Sequence, residues 1–253
     1  MTLLRSVLFN LWFFGLTTVM GLAALPLRAF APQLAIPYAQ AWIRLVFAGL
    51  RVLCGITYEV TGLEHLPAQG PALIASMHQS AFDTLVWALL APRFAYVLKR
   101  ELTRIPLFGP MLVLTGMIAV DRDAGAAAVR GLMREADRAM AEQRQIVIFP
   151  EGTRVAPGAS AELHPGVAAL AARTKLPVIP VATDSGRYWG RRAFRKRPGV
   201  IRIAVLPPIE AGLRREALLQ RLAAAFAAGA AALDAPVDNS VGSALPRFPL
   251  RTS

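Results

Sequence analysis

His78 and Asp83 stand five positions apart in the segment Met77-His78-Gln79-Ser80-Ala81-Phe82-Asp83-Thr84. An imidazole whose tautomer is held by a carboxylate can take a proton on its other nitrogen, so this pair could act as a general base. Five residues along an unbroken helix rotate by about 140°, which would hold the two side chains apart. The flanks suggest how they could meet. An apolar, strand-like run (71–76) precedes the segment and a helix-like run (84–90) follows it, so the pair sits where a strand hands over to a helix. The competing reading is structural. Ser80 and Asp83, three apart, have the spacing of a capping box that ties off the first helix amides. On spacing alone the cap stands ahead of the catalytic pair.

A second group lies in Ile148-Phe149-Pro150-Glu151-Gly152-Thr153-Arg154. A buried strand over Ile146–Phe149 is expected to end at the proline, and Gly152 permits a sharp turn. The turn would present Glu151 and Arg154 at a strand's C-terminal edge, where open α/β sheets bind ligands. Arginine's planar fork suits phosphate, and a glutamate can accept a hydrogen bond from an alcohol. Taken alone, the same residues could form a surface turn with an ion pair.

The elements that must position these groups follow from hydrophobic patterning. Short β-rich runs are expected at Ile56–Val60, Ala72–Ser76, Ala95–Leu98, Ile118–Val120, Ile146–Phe149, Val178–Ala182 and Val200–Val205. Helices are expected over Asp83–Leu90, Leu107–Leu114, Ala126–Ala141, Gly166–Thr174 and from Leu213 to about Ala232. Within Ala126–Ala141, Val129, Leu132, Met133, Ala136 and Met140 make a core-facing stripe at helical spacing. This alternation implies an α/β layered sandwich with a largely parallel or mixed sheet.

Ahead of it, residues 6–27 carry no charge, about the length needed to cross a bilayer core. Ala29-Phe30-Ala31 resembles a signal-peptidase site, but the apolar run is long for a signal peptide and only Arg5 precedes it. The next apolar segment, Trp42–Tyr58, is interrupted by Arg44 and Arg51 and preceded by Pro32 and Pro37, as suits an interfacial element. The expected organisation is a membrane-associated helical hairpin over 1–55 that dips into one leaflet, an α/β domain over 56–233, and a disordered tail over 234–253. A single true span is the alternative for the N-terminal segment.

Composition narrows the partners. The chain of 253 residues is 55% hydrophobic and only 17% charged, yet its formal net charge is +12. A nucleic-acid binder would carry more charge and less apolar surface, so an anionic phospholipid membrane is the expected partner and nucleic acid is not. A genome rich in G and C could raise both figures by favouring Arg and Ala. One cysteine, Cys54, rules out an intramolecular disulfide and a multi-cysteine zinc site, and its apolar setting points to packing. The basic, aromatic stretch from Gly186 to Arg197 could contact nucleic acid, lipid headgroups or an acidic carrier protein; the apolar N-terminal segments favour lipid or an acidic substrate, and a solvated loop is the plain alternative.

Taken together, the motifs resemble the glycerolipid acyltransferase family, in particular its 1-acyl-sn-glycerol-3-phosphate (lysophosphatidic acid) acyltransferases. The resemblance runs from about Ile56 to Pro208 and has four blocks in the family's order. They are His78 to Asp83 (H-x4-D); Lys99-Arg100-Glu101-Leu102 with Ile105-Pro106-Leu107-Phe108-Gly109; Phe149 to Arg154; and Val178-Ile179-Pro180-Val181. It reverses the order of readings for His78 and Asp83. The resemblance implies acyl transfer from an acyl-CoA or acyl-ACP thioester to a lysophospholipid hydroxyl, with His78 as base and Asp83 orienting it. It further implies an acceptor site built from Lys99, Arg100, Glu151, Gly152, Thr153 and Arg154, with backbone amides as oxyanion donors. No metal and no cofactor beyond the acyl donor is implied, and the expected location is the cytoplasmic face of the cell inner membrane. No covalent acyl-enzyme is required, in keeping with the lack of a G-x-S-x-G elbow.

Two positions depart from the family pattern. Met77 precedes His78 where a polar or basic residue is common, and His164-Pro165-Gly166 stands where members often carry Lys-x-Gly. The second departure keeps open another lysolipid acceptor, such as the lyso form of an ornithine lipid. His65 reads as a loop residue. A lipase would need an activated serine, for which Ser80 is the candidate, and a non-catalytic lipid-binding scaffold is the rival from another class.

Overall fold

The computed structural model describes residues 2–121 and 124–235. Helix α1 (Thr2–Phe30) and helix α2 (Ala35–Gly49) form a hairpin through a short turn at Pro32–Leu34. Few polar groups interrupt α1, and two hydroxyls bond back to the helix itself: Ser6 Oγ donates to the Thr2 carbonyl and Thr17 Oγ1 to that of Phe13. Across the hairpin, Tyr38 donates its hydroxyl to the Met20 carbonyl at 2.6 Å and Trp12 its indole N–H to the Leu45 carbonyl at 3.1 Å. Helix α2 runs into one π-helical turn, Leu50–Cys54, and Gly55 at φ 67° ends it in the left-handed region. Leu3, Leu4, Leu8, Leu11 and Phe14 are exposed on the outer side of α1, whereas Phe9 is fully buried.

The seven expected strands all form, with ends shifted by one residue at most. They are β1 (Ile56–Thr61), β2 (Ala72–Ser76), β3 (Phe94–Lys99), β4 (Ile118–Val120), β5 (Gln145–Ile148), β6 (Val178–Thr183) and β7 (Gly199–Val205). They make one sheet in the order β1-β7-β6-β2-β5-β3-β4, parallel throughout except at the β6–β7 pair. The further α-helices are α3 (Ala81–Leu90), α4 (Phe108–Leu114), α5 (Ala126–Ala141), α6 (Gly166–Thr174) and α7 (Arg215–Asp234). Central strands β2, β5 and β6 are buried along their whole length, which is why they read as continuous apolar runs.

Side chains alternate between two cores, as strand geometry demands. Ile74, Val147 and Ile179 face one core with Phe82 and Trp87 of α3 and Phe9, Ile43, Val46 and Leu50 of the hairpin. Leu73, Ile146 and Ile148 face the other, with Leu132 and Ala136 of α5, Leu170 of α6, and Leu222 and Phe226 of α7. The protein is thus a three-layer sandwich in which the N-terminal hairpin shares a core with the sheet.

Two expectations need correction. Val129 is exposed and Met140 only half-buried; the face of α5 that packs inward runs Leu132, Ala136, Ala139, because the core meets the later turns of the helix. Gly55 ends the helical part of the apolar segment, and Tyr58 lies in β1, within the strand expected at Ile56–Val60. Asp234, placed in the tail, is the last residue of α7; the remainder of the expected tail beyond Ala235 lies outside the described residues.

Candidate active site

Strands β6, β2 and β5 are neighbours and run parallel, so the segments leaving their C-terminal ends emerge side by side. β2 delivers His78, β5 delivers Glu151 to Arg154, and β6 delivers the segment beginning at Asp184. Lys99 ends β3 at the same edge, two strands from β2, which is roughly 10 Å sideways at normal strand spacing.

The first motif forms both a helix cap and a contact between His78 and Asp83. Ser80 is the N-cap of α3 in extended conformation, its hydroxyl accepting from the Phe82 amide at 3.1 Å. Asp83 completes the capping box: its Oδ2 accepts the Ser80 amide at 2.7 Å, and also the Gln79 amide at 2.7 Å. The same oxygen lies 3.4 Å from His78 Nδ1. Residues 78–80 leave the strand before the helix begins, so the five-residue separation is spanned by a turn and not by helix. With a proton on Nδ1 aimed at Asp83, Nε2 keeps a lone pair. At 3.4 Å the contact is longer than an ordinary hydrogen bond, as catalytic contacts often are in ligand-free sites. The imidazole stacks on Phe149, with ring centroids 4.4 Å apart.

The second motif is stapled to the first through the backbone of His78. Its amide donates to Glu151 Oε2 at 2.6 Å, and its carbonyl accepts the Val155 amide at 2.7 Å. Gly152 turns the chain between them at φ 66°, a conformation that disfavours any side chain. Glu151 is buried, and burial pushes its carboxyl up to about 7; the His78 amide opposes that shift and the Asp83 charge adds to it. The glutamate expected to face the acceptor is therefore turned inward as a strut under His78. Arg154 is half-buried; burial lowers its pKa, the Asp83 charge counters this and Arg191 reinforces it. Thr153 is exposed beside it.

The remaining expected residues are placed differently. Lys99 and Arg100 are exposed, and Arg100 lies 3.6 Å from Asp121. His164 is exposed, its amide bonded to the Pro150 carbonyl at the foot of the Glu151 turn. Ser80 is fully buried with its hydroxyl engaged in the cap, so the serine nucleophile of a lipase has no candidate there. Sequence reasoning did not single out Phe149 as a platform for His78 or Val155 as a clamp. Their signal was adjacency to the Glu151 turn alone. Among the described residues, no cluster of three or more His, Cys, Asp or Glu side chains could hold a metal ion.

Residues 57–184, which run from the second residue of β1 through β6 and include both motif loops, match the acyltransferase family. The 1-acyl-sn-glycerol-3-phosphate acyltransferase of Pseudomonas aeruginosa is 36% identical over 205 residues, covering 80% of this chain and 79% of that protein. The enzyme of the same name from Limnanthes alba is 34% identical over 186 residues, covering 70% of this chain and 65% of that protein. The crystal structure of the 1-acyl-sn-glycerophosphate (LPA) acyltransferase from Thermotoga maritima has the same fold. It superposes with a TM-score of 0.76 at 21% identity, over 93% of this chain and 99% of that one. A histidine paired with an aspartate at the mouth of a mixed sheet, within a sequence this close to those relatives, leaves one assignment: the chain belongs to the acyltransferase family.

Proposed function

We propose that this acyltransferase moves a fatty acyl group from a thioester donor, acyl-CoA or acyl-ACP, to the sn-2 hydroxyl of 1-acyl-glycerol-3-phosphate, giving phosphatidic acid. The observation that carries the reading is the seating of His78. Its Nδ1 faces Asp83 while its backbone is clamped at both polar groups by the loop of Glu151 and Val155. A base held in this way has one free nitrogen and little freedom to turn.

Nε2 of His78 takes the acceptor's hydroxyl proton as the oxygen attacks the thioester carbonyl. A tetrahedral intermediate forms; its collapse breaks the C–S bond, and the leaving thiolate receives the proton from the imidazolium. Asp83 supports the imidazolium charge between these steps. Arg154 takes the acceptor's phosphate, with Thr153 beside it and Gly152 shaping the turn. Lys99 and Arg100 lie further along the same edge, where they serve the outer part of an anionic headgroup. Glu151 acts through His78. No metal or cofactor takes part beyond the acyl donor.

The exposed apolar side of α1 supports association with a membrane, and the excess of basic residues favours anionic phospholipid at the cytoplasmic face of the inner membrane. Helix α7 is also apolar and long, but Leu218, Leu222 and Phe226 commit it to the core.

The test is an acyl-transfer assay on membranes containing wild type or His78→Ala, with labelled donor and with lysophosphatidic acid and lyso-ornithine lipid offered in parallel. Label in phosphatidic acid that disappears with the mutation supports the reading. Label only in the other lipid keeps the mechanism and replaces the acceptor, the outcome His164 would favour. No transfer from folded protein to either acceptor makes the scaffold the better account.

A further inference from the structure

The basic, aromatic stretch after β6 is only partly a solvent-facing surface. Arg192, Arg195 and Arg197 are exposed, but Lys196 is 4% exposed and Trp189 8%. The Lys196 ammonium has no carboxylate among its described contacts. Its Nζ donates to Asn10 Oδ1 of α1 at 2.7 Å and to the Phe194 carbonyl at 3.0 Å. It also lies over the rings of Phe9 and Trp189, 5.4 Å from each centroid. The Lys196 amide donates to Ser6 Oγ at 2.9 Å, and Trp189 packs edge-on against Phe9. A buried cation without a counter-ion is costly unless such partners surround it, so this contact holds only while α1 is seated.

The same segment reaches the site at its other end. The Trp189 amide donates to the Ser185 carbonyl at 2.9 Å, and the Gly186 amide to Gln79 Oε1 at 3.1 Å. A Cβ on Gly186 would stand 2.9 Å from the Gln79 Cβ, so the segment presses directly on the turn that carries His78. Gln79 is buried, and its own amide is held by Asp83. Arg191 approaches the Arg154 carbonyl at 3.4 Å. A continuous series of contacts thus joins Ser6, Phe9 and Asn10 of α1 to the residue next to His78.

We propose that Lys196 is a positioning residue for acyl transfer: by holding α1 against the segment from Ser185 to Lys196, it sets the turn that carries His78. Helix α1 is then part of the site's framework as well as a membrane element. The proposal rests on the reading of His78 as the base.

The experiment uses the full chain in vesicles of phosphatidylglycerol and phosphatidylethanolamine. Wild type, Lys196→Met, Asn10→Leu and His78→Ala are compared by vesicle flotation and by kcat and KM for lysophosphatidic acid. Lys196→Met is expected to float as wild type does and to keep KM within about twofold. Its kcat should fall between about tenfold and a hundredfold, the range for a small misplacement of a reacting group. Asn10→Leu should show a smaller fall in the same direction, and it decides the matter if Lys196→Met lacks a cooperative melt. An unchanged kcat, or a fall matched by lost flotation, overturns the proposal by reducing Lys196 to a surface or anchoring role. Turnover surviving in His78→Ala would overturn the base reading instead, whatever Lys196 does.

Discussion

Asp83 Oδ2 serves two tasks, capping α3 through two backbone amides and facing the imidazole of His78. Ser80 shares only the first task, which separates capping from chemistry. Ser80→Ala should lower stability by about 1 kcal/mol, the usual cost of a lost cap, while leaving turnover largely intact. Thermal denaturation beside an activity assay checks this; a loss of turnover as deep as that of His78→Ala would assign the serine to the chemistry. His78→Ala itself should cost about a hundred- to ten-thousand-fold in kcat. Glu151 supplies a pH test. Its carboxyl keeps its proton to about 7 in the fold, against 4.5 for an ordinary glutamate. Between those limits the folded state binds more protons than the unfolded state, so its contribution to stability falls as pH rises through the window. The limit is on the order of 3 kcal/mol for a shift of this size. Glu151→Gln should flatten that decline in urea unfolding measured from pH 4.5 to 7.5; an unchanged slope would place the titration elsewhere.

The helices show which faces the core uses. In α5, Leu132 is buried and Val129 is about half exposed, although both fit one helical stripe. Leu132→Ala should therefore cost about 2–5 kcal/mol and Val129→Ala less than about 0.5 kcal/mol, measured by denaturant unfolding. Equal costs would mean that α5 packs along its whole length. The N-terminal hairpin carries the larger consequence. Removing residues 1–40 takes away Phe9, which is fully buried, and uncovers Trp189, Val46 and Leu50. The truncated protein should leave the membrane fraction and also lose a cooperative melt. A well-folded truncation would show that the sheet needs no cover from α1.

Across the whole molecule, an exposed apolar helix is combined with an excess of basic residues, so binding to anionic vesicles should weaken as salt rises while a hydrophobic component persists. Sedimentation with vesicles at 0.05 and 0.5 M salt reads this directly, and a binding curve indifferent to salt would assign the attachment to α1 alone. Much of this architecture was legible in the residues. The buried central strands β2, β5 and β6 read as continuous apolar runs and the other four as short β-rich runs, so all seven could be marked from patterning, and the capping box could be read from the spacing of Ser80 and Asp83. Those features are local: a few neighbouring side chains and the period of the backbone determine them. The inward turn of Glu151, the platform of Phe149 under His78 and the burial of Lys196 were decided by the tertiary structure. Each depends on a partner more than seventy positions away or on the opposite face of a layer, and no local spacing records such a meeting. Lys196 is the clearest case, because in the sequence it is one more cation in a basic run. It becomes a buried contact only when α1 closes over it with Phe9 and Asn10, where the aromatic faces and the amide oxygen replace the water it loses.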